Sequence, residues 1–278
     1  MLLYQAMGRT PPIFAHVSII LATDRSKLSK RHGATSVGQF AEMGYLPAAM
    51  MNYLSLLGWN DGTEQELFTE AELKEKFSVE RIVKSAAVFD KDKLTWMNGQ
   101  ILRSLEDSEK AKLLKERLVK LGLMDATTPD VWVDGLVAMT AKSLELLADG
   151  EREVLDMVAY PLSEVVASEE AQEVMNDGFG DVVDVILAAY EDGSLAAATA
   201  TPGDFKKWIK GVGKEMDRKG KRLFMPVRMA LTGRMHGADV GEQMSLLGGM
   251  GEFARGEAKE KMVDLDARMQ ALAAWRKG

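Results

Sequence analysis

Apolar residues recur at helical spacing along most of the chain. Between residues 35 and 59 this spacing predicts two helices, with a break near Gly44 and Pro47. The apolar positions of that stretch are Val37, Phe40, Met43, Leu46, Met50, Tyr53, Leu54 and Leu57. The same spacing continues to the C-terminus between short turns, so the chain is predicted to be mainly α.

One earlier segment has a different pattern. Residues 13–21 form an apolar run rich in β-branched residues, between Pro11-Pro12 and the polar residues 23–26. This pattern predicts a buried strand that enters a loop. Because one strand cannot stand alone, its partners must lie upstream in a longer protein, or the segment must pack against the helices that follow. The expected architecture is the end of an α/β unit followed by helical bundles.

Two helix starts have recognisable capping signals. Thr69, followed by Glu70 and Glu72, is typical of a helix N-cap. In the turn at residues 127–130, a threonine is expected to cap the next helix, with Pro129 in its first turn.

Charge is distributed unevenly along the chain. The net charge is −7, but residues 1–60 carry +3, residues 61–200 carry −16 and residues 201–278 carry +6. Between residues 214 and 234 there are seven basic and two acidic side chains. Phosphate binding depends on such a local field, so an acidic protein can still bind RNA. The acidic stretch at residues 121–200 would repel RNA, and we expect that face to point to solvent.

Several classes of site are excluded or disfavoured. The chain has no cysteine, so it has neither disulfides nor thiolate metal sites. His16, His32 and His236 lack metal-ligand spacing, so no protein-held metal site is expected. No apolar run approaches the roughly 20 residues that a membrane span needs. No serine–histidine–aspartate or paired-carboxylate arrangement supports an independent hydrolase.

The segment Lys27-Leu28-Ser29-Lys30-Arg31 places three cations and a hydroxyl directly after the predicted strand, and Gly33 follows it. A loop of this kind can close over a polyphosphate, because a lysine ammonium on a flexible stem follows charge as it moves in a reaction. A solvated surface loop is the alternative, and for an isolated basic run it would be the better interpretation.

Four segments in order favour the phosphate-binding interpretation. Residues 14–37 resemble the second ATP-binding signature of class I aminoacyl-tRNA synthetases, usually written KMSKS, in its glutamyl form. Residues 43–62 and 89–99 are similar to the same family, and residues 220–233 resemble its anticodon-binding end. The first two segments are most similar to bacterial-type enzymes, including those of cyanobacteria and plant organelles.

The resemblance implies a fold and a domain order. The expected fold is the end of a Rossmann-type nucleotide-binding domain followed by helical stem-contact and anticodon-binding bundles. The implied domains are residues 1–35 with the KMSKS-type loop, residues 36–120 as the stem-contact domain, and residues 121–278 as the anticodon-binding domain.

The resemblance also implies an ATP site. Lys27 and Lys30 match the catalytic lysines that contact ATP phosphates, and Ser29 and Arg31 belong to the same ATP-binding loop. Ile20 would lie against the adenine through its backbone.

Contacts with tRNA are implied at two places. Lys93, Trp96 and Arg103 match positions that meet the inner bend or anticodon stem. The region that receives the anticodon bases is matched by Arg228, Met235, Gly237 and Val240.

Structural alternatives remain open for three of these residues. Trp96 could be an ordinary core residue, because aromatics dominate cores. Lys93 could simply be exposed. A buried salt bridge is the alternative for Arg228, although a guanidinium can also read a splayed RNA base.

The predicted function is that of a glutamate–tRNA ligase, which charges tRNA with glutamate through an adenylate, using ATP and Mg²⁺. Nothing in the chain resembles the family's first signature, HIGH, or its glutamate pocket, so this chain alone is expected to be inactive. The alternative is a non-catalytic tRNA-binding module. The expected partners are tRNA(Glu), ATP and L-glutamate, with no membrane, in a monomer. The expected location is the cytoplasm in a bacterium, or the plastid or mitochondrial matrix in a plant or alga.

Overall fold

The computed structural model describes residues 1–33 and 36–278, which form two compact units, Met1–Ser104 and Leu105–Gly278. The boundary between the units falls in the short link between two long helices. The domain limits predicted at 35/36 and 120/121 remain predictions.

The first unit is mostly helical. Its α-helices are α1 (Leu2–Ala6), α2 (Val37–Glu42), α3 (Pro47–Leu56), α4 (Glu70–Lys76) and α5 (Lys91–Ser104). Two 3₁₀ turns span Lys30–His32 and Val79–Arg81, and two short strands are β1 (Ile20–Leu21) and β2 (Ala87–Val88).

The predicted strand at residues 13–21 is largely wrong. Only Ile20–Leu21 is a strand, and its partner lies downstream, since β1 pairs in parallel with β2. Ile13 is fully exposed and Val17 is 73% exposed. With β2 as its only strand neighbour among the described residues, the apolar run has too few partners to be buried.

Buried side-chain amides fix the helices of the first unit. The Leu46 N–H, at the start of α3, donates to Asn98 Oδ1 at 2.8 Å. Asn52 Nδ2 donates to the Glu66 carbonyl at 2.8 Å, and its Oδ1 accepts from the Phe68 N–H. Both asparagines are fully buried, so replacing either would leave backbone groups unpaired.

The buried side chain of Tyr53 binds the backbone just before α5. The Asp90 N–H donates to the Tyr53 hydroxyl at 2.7 Å, and the Tyr53 ring packs edge-on against Phe89. Burial raises the pKa of Tyr53 to about 12. The hydroxyl therefore stays neutral, and the entry to α5 is held by an uncharged contact.

The second unit is entirely helical. Its α-helices are α6 (Asp107–Lys120), α7 (Asp130–Thr140), α8 (Leu147–Val158), α9 (Leu162–Val166), α10 (Gln172–Asn176), α11 (Phe179–Glu191), α12 (Ser194–Thr199), α13 (Pro202–Glu215), α14 (Lys221–Thr232), α15 (Val240–Gly249), α16 (Gly256–Glu260) and α17 (Leu265–Lys277). A 3₁₀ turn at Glu169–Ala171 lies between α9 and α10, and another at Met250–Glu252 lies between α15 and α16. The predicted mainly-α fold class is confirmed.

One capping prediction is confirmed and one is wrong. Thr69 and Glu72 form a reciprocal capping box at α4. Thr128 is 1% exposed, and its hydroxyl turns back to donate to the Asp125 carbonyl at 2.6 Å. Pro129 occupies the N-cap position of α7 without a side-chain hydrogen bond.

Arg268, on α17, is a buried cation in the centre of the second unit, with 1% of its surface exposed. Its guanidinium donates to the carbonyls of Met157, Leu231 and Val263, at 2.5, 2.9 and 2.8 Å. Met157 and Leu231 lie in the last turns of α8 and α14, where carbonyls lack intrahelical partners and carry the negative end of the helix dipole. Burial lowers the pKa of Arg268 to about 10, which still leaves it charged at neutral pH.

We expect Arg268→Met to destabilise the protein by about 3 kcal/mol, because it leaves buried carbonyls of two helices unpaired. Chemical unfolding followed by circular dichroism measures the loss. The matched control is Arg276→Met on the same helix, which removes an exposed pair with Asp184 at 2.8 Å and should cost at most about 1 kcal/mol. Equal losses in the two variants would contradict the role given to Arg268.

Candidate functional site

The basic loop begins where β1 ends. The Leu28 N–H donates to the Ile20 carbonyl at 3.2 Å, and the Ala22 N–H donates to the Ser26 carbonyl at 2.8 Å. At the tip, the Ser26 N–H donates to Asp24 Oδ1 at 2.9 Å. These bonds fold residues 20–28 into a tight turn that brings Lys27 beside Leu21.

The three cations of the loop are exposed. Lys27, Lys30 and Arg31 all face solvent, whereas Ser29 is half-buried. Within residues 1–33 and 36–278, none of the three cations forms an ion pair. Ile20 is half-buried in β1, with its carbonyl already engaged by Leu28. The structure thus brings the predicted ATP-loop residues together, and their positive charge is available to an anion.

The predicted stem-contact residues share one face of α5. At 100° per residue, Lys93, Trp96 and Arg103 fall within about 80° of each other. Trp96 is 41% exposed, so the core alternative for it is wrong. Lys93 is not simply exposed, because its Nζ pairs with Glu66 Oε1 at 2.5 Å. Arg103 is half-buried.

The predicted anticodon residues separate into two kinds. Met235 and Val240 are buried, 7% and 8% exposed, so their side chains serve the core. Arg228 and Gly237 lie together, because a Cβ built on Gly237 would be 3.5 Å from Arg228 Nη1. That Nη1 is buried and has no hydrogen-bond partner. No ion pair of Arg228 is found among the described residues, which gives the salt-bridge alternative no support there.

Burial lowers the pKa of Arg228, and the nearby Asp239 carboxylate opposes that effect. The loop around Gly237 is fixed by Gln243, whose Nε2 donates to the Ala238 carbonyl at 2.9 Å. The unpaired Nη1 of Arg228 thus lies buried beside the backbone of Gly237.

Most of the basic patch predicted at residues 214–234 is neutralised. Arg222 forms a forked pair with Asp177, through Nε at 3.0 Å and Nη2 at 2.8 Å, and Arg218 pairs with the same carboxylate. Lys221 pairs with Glu173 at 2.9 Å, and Arg234 pairs with Asp156 at 2.8 Å. The expectation that the acidic stretch simply faces solvent is thus wrong in part, because several of its carboxylates bind the basic tail.

A second set of cations, which shares Lys214 with that patch, is left exposed on α13. Lys206, Lys207, Lys210 and Lys214 fall within about 100° around the helix and all face solvent. Lys207 pairs with Asp204 at 3.2 Å. No ion pair of Lys206, Lys210 or Lys214 is found in the part of the chain that the structure describes. Their spacing in the sequence is a helical stripe, a signal that the focus on residues 214–234 overlooked.

No metal centre or membrane helix emerges from the described residues. Nowhere in residues 1–33 and 36–278 do three or more histidine or acidic side chains converge as metal ligands. No helix among these residues is both long and apolar enough to cross a bilayer.

Two family models match the chain. Residues 1–96 match the model described as tRNA synthetases class I (E and Q), catalytic domain. Residues 109–255 match the anticodon binding domain.

Similar proteins are glutamate–tRNA ligases. The ligase of Desulforamulus reducens is 38% identical over 263 residues, covering 94% of this chain and 54% of that protein. The ligase of Heliobacterium modesticaldum is 37% identical over 257 residues, covering 92% of this chain and 51% of that protein. The chain spans about half the length of the curated relatives that it matches.

Solved structures with a similar fold are also glutamate tRNA ligases. The crystal structure of a glutamate tRNA ligase from Elizabethkingia meningosepticum, in complex with its amino acid, superposes with a TM-score of 0.69 at 21% identity, covering 99% of this chain and 53% of that one. The chain therefore belongs to the glutamyl-tRNA synthetase family of class I aminoacyl-tRNA synthetases, and it matches the C-terminal half of its relatives.

Proposed function

We propose that this protein acts in the ATP-dependent attachment of glutamate to tRNA(Glu). The observation that carries the proposal is the presence, in one chain, of an exposed cationic loop within a catalytic-domain match and a helical unit that matches an anticodon-binding domain. The chain would supply the loop for ATP and the surfaces for tRNA.

The loop's contribution would be electrostatic. In the proposed reaction the glutamate carboxylate attacks the α-phosphorus of ATP, and pyrophosphate leaves. Lys27 and Lys30 would neutralise the charge that moves onto the leaving phosphates, and cations that no carboxylate engages are suited to that task. Magnesium would add charge neutralisation as part of the ATP complex. No group of three or more acidic or histidine side chains that could hold it is found among the described residues.

The helical unit's contribution would be RNA binding. The exposed lysines of α13 would contact phosphates of the tRNA backbone. Such contacts supply affinity without sequence specificity. Arg228 would contact the anticodon loop. From the first unit, the α5 face with Lys93, Trp96 and Arg103 would contact the stem. In a bacterium the reaction would take place in the cytoplasm.

A second candidate function is a tRNA-binding module without ligase activity. The second unit is compact by itself and contains the whole anticodon-binding match, so it could bind tRNA without any catalytic partner.

We expect the chain to bind tRNA(Glu) with an affinity that falls steeply as salt rises. Replacing Lys206, Lys210 and Lys214 together by alanine should reduce the slope of log K against log salt by about 2 to 3, because three phosphate contacts are lost. Fluorescence anisotropy over a salt series measures this.

The control removes three other lysines, Lys259, Lys261 and Lys277, and so has the same net charge. An equal change of slope in both variants would show that total charge, and not the α13 face, governs binding. Absence of any tRNA binding by the unmodified chain would overturn both candidate functions.

The loop can be tested in a fusion of this chain with the N-terminal half of the Desulforamulus reducens ligase. There Lys30→Ala should lower the rate of glutamate-dependent ATP–pyrophosphate exchange about 10²- to 10³-fold, with tRNA affinity unchanged. Arg9→Ala, which removes another exposed cation of the first unit, is the control. An unchanged exchange rate for Lys30→Ala would remove the role given to the loop.

A further inference from the structure

The cationic loop at residues 27–31 takes its position from β1. The Ile20 carbonyl and the Ala22 N–H make the hydrogen bonds that close the turn at its base. The chain before β1 offers the strand little support. Among the described residues, no backbone hydrogen bond is found for residues 10–17, and Val17 is 73% exposed. The strand, and with it the base of the loop, is therefore held from the side of β2.

Residues 83–90, the connecting segment, hold β1 at three points. Ser18 Oγ, just before the strand, donates to the Lys84 carbonyl at 2.7 Å. The strand itself pairs in parallel with β2, and the Phe89 N–H donates to the Leu21 carbonyl at 2.8 Å. Because a pair of two-residue strands is marginal by itself, the side-chain bond of Ser18 adds a needed attachment.

The connecting segment is in turn attached to the helices of the first unit. At its end, the Asp90 N–H donates to the buried Tyr53 hydroxyl at 2.7 Å. The Phe89 ring packs against the rings of Phe40 and Tyr53, with centroids 5.6 and 5.3 Å away. A continuous set of contacts thus leads from α3, which carries Tyr53, through the connecting segment to β1 and the loop.

We infer that Ser18 and Tyr53 are positioning residues for the loop: through the connecting segment they set where Lys27 and Lys30 meet the phosphates of ATP. Neither hydroxyl would act on a phosphate itself. Electrostatic stabilisation depends on cations that are already in place, and a misplacement of about 1 Å can cost on the order of 10²-fold in rate. The inference rests on the proposed function and goes beyond it, because it assigns roles in the reaction to two uncharged residues outside the loop.

The first test uses the chain itself. Ser18→Ala and Tyr53→Phe each remove one hydroxyl and little volume, so both variants should fold. In each, amide hydrogen–deuterium exchange of residues 20–28, followed by mass spectrometry, should become about 3- to 10-fold faster, the usual effect of losing one hydrogen bond. Ser18→Thr keeps a hydroxyl and should keep the wild-type rate.

Matched controls remove a hydroxyl elsewhere. Ser55→Ala, on the same helix as Tyr53, loses a bond to the Met51 carbonyl at 2.8 Å, and Tyr190→Phe, in the second unit, loses a bond to Asp266 at 2.8 Å. Both should leave deuterium exchange of residues 20–28 unchanged. A wild-type rate for these residues in Ser18→Ala or in Tyr53→Phe would overturn the inference.

The second test separates a positioning role from a merely structural one. In the fusion with the N-terminal half of the Desulforamulus reducens ligase, Ser18→Ala should lower kcat of ATP–pyrophosphate exchange about 10-fold, with KM for glutamate unchanged, and Ser18→Thr should restore it. If Ser18 acts through the loop, its replacement should have little further effect in a Lys30→Ala background.

The outcomes of the second test are distinct. Losses that multiply in the double variant, or a wild-type rate for Ser18→Ala beside a slow Lys30→Ala, would overturn the inference and leave the proposed function standing. A wild-type fusion without any ATP–pyrophosphate exchange would overturn the proposed function, and the inference with it.

Discussion

The second unit is organised around one buried cation, the guanidinium of Arg268. Helix ends expose carbonyls that water would normally solvate, and here two such ends, those of α8 and α14, meet in the interior. Arg268 satisfies both with a planar set of donors that a lysine could not supply. The cation has no buried carboxylate opposite it among the described residues. The negative ends of the α8 and α14 dipoles balance the charge of Arg268 instead. The contact with Arg268 also helps to fix the position of α14.

Charge complementarity within the chain decides which cations face outward. The acidic middle and the basic tail look, in sequence, like a repelling face and an RNA-binding face. In the fold, Asp156, Glu173 and Asp177 reach cations more than 40 residues away. The pairs of Glu173 and Asp177 fix the start of α14, and that of Asp156 lies just beyond its end. Positive charge remains on the loop at residues 27–31 and on α13. Some basic residues of the chain therefore stabilise the fold through ion pairs, and others remain exposed, where they could bind an anion.

The start of α14 shows how a missing helix hydrogen bond can be replaced from outside the helix. Pro226 removes a helix hydrogen bond, and Arg218 replaces it from outside the helix. The same residue anchors Asp177 and so stiffens the turn below Phe224. Arg228 then remains unsatisfied within an otherwise well-satisfied neighbourhood.

The sequence by itself determined the mainly-α class, the family, the helix start at Thr69 and the cationic loop, because helical periodicity, capping and short motifs are local signals. It misjudged the strand at residues 13–21, the Thr128 cap and the basic patch at residues 214–234. The strand and the patch depended on partners distant in the chain, β2 and Asp177, whereas the Thr128 hydroxyl bonds the nearby Asp125 carbonyl in place of the helix start. Only the tertiary structure could show that Trp96 is exposed, that Met235 is buried and that Arg228 Nη1 has no hydrogen-bond partner among the described residues. The physical reason is that burial and pairing are properties of contacts between distant segments, which periodicity and composition do not record.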